Sequence, residues 1–396
     1  MAPATRITLK KGRDNAIRRF HPWIFSGALE RLSPEPERGE VVEVFAADGQ
    51  YVASGYYSGE GSIAVKLLTW ERQEIGQDFF TSMIRAAYEH RERIGLFADT
   101  GTDAFRLVNA EGDSLPGLVV DFYAGTAVLQ CQSVGMAGFR PLIVEALCAV
   151  LGERLRAVFD KSADAERDAG GEEALRAKYL YGERGESLIH ENGLRFHVDW
   201  EKGQKTGFFL DQRENRALVR RYAAGRSVLN AFCYTGGFSV YALAGGAKFV
   251  RSVDSSTGAI QLLGRNIETN FGEPAHEGIV ADYLEYIRSA KDEFDLIVLD
   301  PPAFAKHRAA VEGAVKGYRS INLHAFQTIK RQGLLFTFSC SQLISSELFR
   351  QTVADAAYRA GRRVRVMHEL HQAPCHPISL AHDEGGYLKG LVLQVE

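Results

Sequence analysis

Hydrophobic and polar positions change their rhythm twice along the chain. Residues 40–45 and 51–55 carry β-forming runs on either side of Asp48-Gly49, a hairpin signal, and 62–68 supplies a further strand. Residues 1–72 are therefore predicted to form a small β-rich domain. Phe79, Phe80, Met83, Ile84, Ala87, Tyr88 and Arg91 then recur at helical spacing. Two short strands within 105–121 flank a Gly/Asp/Pro/Gly turn, with a strand at 126–132, a helix at 139–151 and a strand at 156–159. Residues 160–185 are charged and poorly periodic, a loop or linker, so 73–190 reads as a small α+β domain. From 191 to 396 short apolar runs (227–232, 249–253, 278–281, 295–299, 334–338) alternate with helical patterns at 237–247, 257–271, 311–331 and 345–360. That alternation predicts a doubly wound parallel sheet. Two late strands, 362–370 and 387–395, have no helix between them and are expected to form an antiparallel hairpin at its edge.

Composition narrows the class. The 396 residues are 45% hydrophobic and 24% charged, as in a globular protein, and no run approaches a membrane span. The N-terminal segment has charge but no apolar stretch behind it, unlike a secretory signal. Cys131, Cys148, Cys233, Cys340 and Cys375 are scattered without a CxxC pair. Reduced thiols in the cytoplasm are expected, and no metal site. The net charge of -3 gives no global nucleic-acid signal. Locally, Lys10, Lys11, Arg13, Arg18 and Arg19 cluster ahead of His21-Pro22-Trp23-Ile24-Phe25. This stretch is either an RNA-binding surface, with cations for phosphates and Trp23 for a base, or a core Trp beside a solvated basic loop. Glu111 and Asp113 read as turn formers.

Candidate chemistry gathers at strand ends. The 227–232 run leads into Asn230-Ala-Phe-Cys-Tyr-Thr-Gly-Gly-Phe238, where Gly236 and Gly237 permit a tight turn close to a ligand. The next strand ends at Asp254, where an acid holds ribose hydroxyls in nucleotide-binding sheets, and the third is followed by Asp282. A dinucleotide would want a third glycine at GxGxxG spacing, which is absent; a nucleoside cofactor without phosphates, S-adenosylmethionine, fits better. Upstream, Lys205, Gly207, Asp211 and Arg213 stand in GQKTGFFLDQR, with charges suited to a carboxylate, or else form a loop with a helix cap. Asp300 ends the buried 295–299 run before Pro301 and Pro302, which stop the ladder in a stiff loop. It is either a site acid or a solvated strand stop. Cys340 ends the following strand between two serines and is read as a nucleophile in preference to a small buried thiol.

NAFCYTGGF, VDSS, ADYLEYI, DLIVLDPPAFAK and TFSCS, preceded by GQKTGFFLDQR, resemble the RlmI (YccW) family of bacterial 23S rRNA cytosine-C5 methyltransferases. HPWIFSGAL resembles that family's N-terminal PUA domain, and RLVNAEGDSLPGLVVDFYAG its central domain, so the resemblance spans essentially the whole chain. It implies an α/β fold: a Rossmann-like class I methyltransferase domain preceded by a PUA domain and a small α+β domain. It implies S-adenosylmethionine held by Lys205, Thr206, Gly207, Phe209, Asp211 and Arg213 of the first motif. Asn230, Phe232, Tyr234 and Gly236 would follow from the glycine turn, with Asp254, Ser255, Asp282 and Asp300 from the other strand ends. Cys340 would add to C6 of cytosine while Asp300 hydrogen-bonds the ring near N3; Cys233 is read as packing. The implied partner is 23S rRNA, outside the mature ribosome, with no membrane and a homodimer as candidate assembly. Many RNA cytosine-C5 methyltransferases carry a second cysteine after the acid; Pro301-Pro302-Ala303 stands there instead. Two rivals remain: methylation of a base nitrogen through the DPPAF loop, and a non-catalytic RNA-binding assembly factor.

Overall fold

The computed structural model describes residues 5–97, 101–162, 178–289, 294–305 and 307–396. The chain divides into two compact units. The first comprises Met1–Ile189, Val198–Phe208 and Pro374–Gly385; the second comprises His190–His197, Phe209–Ala373 and Gly386–Glu396.

The first unit holds two five-stranded sheets. One is ordered β1-β3-β4-β5-β2, with β1 Thr5–Thr8, β2 Trp23–Phe25, β3 Val41–Phe45, β4 Tyr51–Glu60 and β5 Ile63–Thr69. The β3–β4 pair is the hairpin that Asp48-Gly49 announced, and Gly49 takes φ +84°, a conformation that favours glycine. Ile7, Val42, Val44, Ala53, Val65 and Leu67 form its core. The other sheet is ordered β10-β9-β8-β7-β6, from β6 Ala104–Asn109, β7 Leu118–Tyr123, β8 Thr126–Cys131, β9 Ala157–Asp160 and β10 Lys178–Tyr181. β10 corrects part of the expected loop. Its tyrosines give it β-propensity, and Tyr179 packs its ring 4.9 Å from Phe159 on the partner strand. Residues 163–177 of that expected loop lie outside the described residues.

A two-stranded hairpin, β11 Leu188–Glu191 and β12 Leu194–His197, precedes the second unit's seven-stranded sheet, ordered β15-β14-β13-β16-β17-β19-β18. These strands are β13 Ser227–Ala231, β14 Phe249–Asp254, β15 His276–Val280, β16 Phe294–Leu299, β17 Ile329–Ser339, β18 Val364–Leu370 and β19 Lys389–Val395. The first five run parallel and β19 is antiparallel to both its neighbours, as the late hairpin required. Successive residues face opposite layers. Leu229, Ile297, Leu299, Leu335 and Leu393 pack with helices Val311–Thr328 and Ser346–Arg359 on one side. Val228, Leu296, Val298, Phe336 and Val392 pack with helices Arg213–Tyr222 and Gly237–Ala244 on the other. Burial on both faces is why these strands are continuously apolar. The helix expected over 311–331 ends at Thr328 because β17 begins at Ile329, earlier than its apolar run. The chain winds outward from β13 to β15, then returns to β16 and β17, so strand order reverses between β13 and β16. Ligands bind at the carboxyl ends beside such a switch point.

Candidate active site

Register fixes which strand ends meet. Ala231 pairs with Val253 on one side and with Leu299 on the other, and Leu299 pairs with Thr337. The residues just beyond these pairs are therefore neighbours: the 232–236 turn, Asp254, Asp300 and Phe338, with Cys340 two residues further along.

The turn after β13 is unusual in its backbone. Phe232 has φ +56°, Tyr234 φ +46° and Gly236 φ +81°, and helix Gly237–Ala244 starts at once. Left-handed non-glycine residues persist only where their surroundings hold them, and they concentrate at ligand sites. A Cβ at Gly236 would come within 2.7 Å of Leu263. Asp254 clamps this turn: Oδ2 accepts from the Tyr234 amide (2.9 Å) and Oδ1 from the Ser256 amide (2.9 Å). A carboxylate has further lone pairs, so Asp254 still has acceptor capacity for ribose hydroxyls. Ser255 is exposed beside it. Asp282 is exposed and caps helix Tyr283–Ser289, its Oδ1 accepting from the amides of Leu284 (2.8 Å) and Glu285 (3.2 Å).

Two buried acceptors test the fit of a cofactor. Asn230 donates from Nδ2 to Ser239 Oγ (2.7 Å), but among the described residues its Oδ1 has no hydrogen-bond partner. Asp211 accepts at Oδ2 from the Tyr387 hydroxyl (2.7 Å), and its Oδ1 likewise has none. Buried polar atoms are almost always satisfied, so these acceptors suit a ligand rich in donors, such as one bearing an ammonium and hydroxyls. Arg213 is buried next to Asp211, and Phe209 sets its ring edge-on to Tyr234 at 5.3 Å. Lys205, Thr206 and Gly207 belong to the first unit. There Lys205 is exposed, and the Thr206 hydroxyl donates to Asp121 (2.6 Å) and lies 3.1 Å from the Tyr123 hydroxyl. Gly207 has φ +116°, and a Cβ there would meet Val198 at 2.8 Å.

Asp300 is half-buried at the end of β16, and Cys340 half-buried at the end of β17. The Cys340 Sγ lies 3.8 Å from the carbonyl oxygen of Pro301, at the foot of the two-proline loop. The other cysteines sit differently. Burial pushes the Cys233 thiol well above its ordinary value, reinforced by nearby Asp254, and pushes the Cys131 thiol up to about 12. Such thiols are inert at neutral pH. Ser341, just after Cys340, is held from several elements. Its Oγ accepts from the Ala305 amide (3.3 Å) and lies 3.0 Å from the Tyr318 hydroxyl, while its carbonyl accepts from Lys389 Nζ (2.8 Å). Phe304 packs its ring 4.7 Å from Tyr318. Sequence reasoning missed Lys389 and Tyr387; the available signal was a lysine opening the otherwise apolar 388–393 run.

In the first unit Lys10, Lys11, Arg13, Arg18 and Arg19 are all exposed, with Arg18 paired to Asp14 at 2.6 Å. Trp23 is half-buried: its indole N–H donates to Glu111 (2.9 Å), and its ring lies 4.3 Å from that of His382. The more exposed aromatic surfaces are Phe20 and Phe25. Asp113 is no turn former alone; it forms a bidentate pair with the fully buried Arg91 at 2.5 and 2.8 Å. Among the described residues, His21, His382 and Glu384 bring ligand atoms within 4.8 Å of one another, a cluster hidden in the sequence by its long separation. No helix among the described residues is long and apolar enough to cross a membrane.

Comparison with known proteins identifies the family. A PUA-like domain model matches residues 7–70, and an S-adenosylmethionine-dependent methyltransferase model matches residues 172–370. The ribosomal RNA large subunit methyltransferase I of Shewanella frigidimarina is 43% identical over 99% of this chain and 100% of its own. That of Aeromonas hydrophila is 42% identical over 98% of each. Among solved structures, a candidate SAM-dependent methyltransferase from Streptococcus mutans superposes with a TM-score of 0.83 at 22% identity, covering 98% of this chain and 100% of that one. A candidate methyltransferase complexed with SAH gives 0.85 at 22% identity, with the same coverage. At that identity the structures speak to fold alone. With a match over nearly its full length at 43% identity, the chain belongs to the ribosomal RNA large subunit methyltransferase I family, and its cofactor is S-adenosylmethionine.

Proposed function

We propose that the protein methylates C5 of a cytosine in 23S rRNA, with Cys340 as nucleophile and Asp300 as the group that holds the base. The printed name of its relatives supports a large-subunit rRNA substrate, and the PUA-like domain with its exposed basic arm supports RNA binding. The observation that carries the chemistry is the β16–β17 register, which sets Asp300 and Cys340 at adjacent strand ends with Sγ 3.8 Å from the Pro301 carbonyl. Cytosine C5 is a poor nucleophile. Addition of the Cys340 thiolate at C6 delivers an electron pair into the ring and makes C5 enamine-like, while Asp300 hydrogen-bonds the ring near N3. The bound cofactor supplies the electrophilic methyl group. Loss of the C5 proton to a base then re-forms the C5–C6 double bond and expels the Cys340 thiolate.

Methylation of a base nitrogen would use an aromatic after the prolines to stack on a flipped base. The packing of Phe304 against Tyr318 supports the C5 reading over that one, as does the strand-end thiol, which nitrogen chemistry does not need. The cofactor pocket is assigned to Asp211, Arg213, Asn230, Phe232, Gly236 and Asp254, with Asp282 at the adenine end. Cys340→Ala and Cys340→Ser are expected to lose methyl transfer to rRNA while keeping cofactor binding, measured by transfer of a labelled methyl group and by calorimetry. Retained transfer by either variant refutes the thiolate mechanism.

A further inference from the structure

The strand β19 opens with a buried cation that the proposed chemistry has not used. Lys389 is 7% exposed, in a strand whose other residues are nearly all buried. Burying an ammonium is costly unless it is paired and hydrogen-bonded. Its Nζ donates to the carbonyls of Ser341 (2.8 Å) and Ile344 (2.6 Å), and among the described residues no carboxylate forms an ion pair with it. An ammonium has three donors, and the two carbonyls take two of them. Both carbonyls belong to the turn that leaves Cys340, and the β17–β19 register pairs Lys389 with Ser339, the residue before Cys340.

We propose that Lys389 is a positioning residue for Cys340: it ties down the 341–344 turn and supplies the positive charge that favours the Cys340 thiolate. This rests on the reading of Cys340 as the nucleophile. The electrostatics run the same way from the lysine's side. Burial lowers the pKa of Lys389 and a Cys340 thiolate raises it again, so each ionised group favours the other. Two other groups on neighbouring elements are Tyr318, whose hydroxyl reaches Ser341 and which interacts electrostatically with Cys340, and Asp300 at the end of the adjacent strand. Tyr318 stays neutral, because burial raises its pKa. Lys389 is thus a cation whose charge acts on Cys340.

The test reads the thiol directly. The rate of Cys340 alkylation by iodoacetamide is followed against pH on the full chain, by mass spectrometry of its peptide. Lys389→Met removes charge and hydrogen bonds; Lys389→Gln removes the charge and keeps donors for the carbonyls. Both are expected to move the inflection upward and slow alkylation at neutral pH by roughly tenfold, equivalent to one pKa unit, while Lys389→Arg keeps the original profile. Should Lys389→Met not fold, Lys389→Gln carries the test. An unchanged profile in a folded neutral variant overturns the proposal. Failure of the nucleophile reading is a separate outcome, seen as methyl transfer by Cys340→Ser, and leaves the alkylation profile readable.

Discussion

Two buried cations of the second unit, Arg216 and Lys389, are satisfied in opposite ways. Arg216 meets Glu191 in a two-pronged pair at 2.8 and 2.7 Å, donates to the Phe209 carbonyl at 2.8 Å, and shares Glu191 with the Tyr241 hydroxyl at 3.0 Å. Lys389 has carbonyls only. The first arrangement is closed, with charge matched and lone pairs used, and it holds the β11 end against helix Arg213–Tyr222. The second keeps a charge in reserve beside the turn after Cys340, the residue proposed to become anionic. A compensated buried ion builds structure, whereas an uncompensated one beside a nucleophile tunes chemistry.

Removing one side of the closed pair should produce the largest stability loss. Arg216→Met strands the Glu191 carboxylate in the interior and is expected to cost about 3–5 kcal/mol in urea unfolding. A loss under about 1 kcal/mol breaks the distinction. Lys389→Met strands no charge, so its stability cost is expected near 1 kcal/mol, the scale of a net hydrogen bond or two, despite the larger effect on Cys340 alkylation. Equal stability losses at the two positions would show that Lys389 is merely structural.

Intermediate in effect is the cofactor turn. Gly236→Ala puts a Cβ within 2.7 Å of Leu263 at φ +81°, where an L-residue is penalised by about 1–2 kcal/mol. Because Asp254 clamps that same turn, cofactor affinity is expected to fall roughly tenfold by calorimetry. Unchanged affinity would separate the strained turn from the cofactor site. The smallest effect near neutrality belongs to a third kind of buried group, one kept neutral. Burial pushes the His276 imidazole on edge strand β15 down to about 4 from an ordinary 6.5. The unfolded chain therefore binds the extra proton first, and stability falls as pH drops from about 6.5 toward 4. His276→Asn should flatten that part of the urea-midpoint profile, and an identical slope in the variant would remove His276 from the account.

Much of this was legible in the sequence, for identifiable reasons. Strands β13, β16 and β17 are buried on both faces, so they read as uninterrupted apolar runs, and the residues at their ends were placed by position alone. Gly236 and Asp254 declare themselves because a tight turn needs glycine and the next strand end needs an acid. Legibility fails where meaning depends on a distant partner. Asp113 looks like a turn residue until Arg91 is seen against it, and for Trp23, open in sequence to a core or an RNA-facing reading, the Glu111 partner of its N–H is invisible. Lys389 lies far along the chain from Cys340 and reaches Ser339 and the turn after Cys340 only through an antiparallel register. Thr206 and Gly207 stand in the first unit, and their contacts there with Asp121, Tyr123 and Val198 cannot be read from the motif that holds them.

If Cys340 and Asp300 act as proposed, their product is 5-methylcytidine in 23S rRNA. The most direct measurement is mass spectrometry of 23S rRNA nucleosides from cells with and without this protein, and with the Cys340→Ala variant in its place. The account expects one 5-methylcytidine to vanish in the deletion and to remain missing with the variant. An unchanged nucleoside profile, or a lost modification on a base nitrogen, would contradict it.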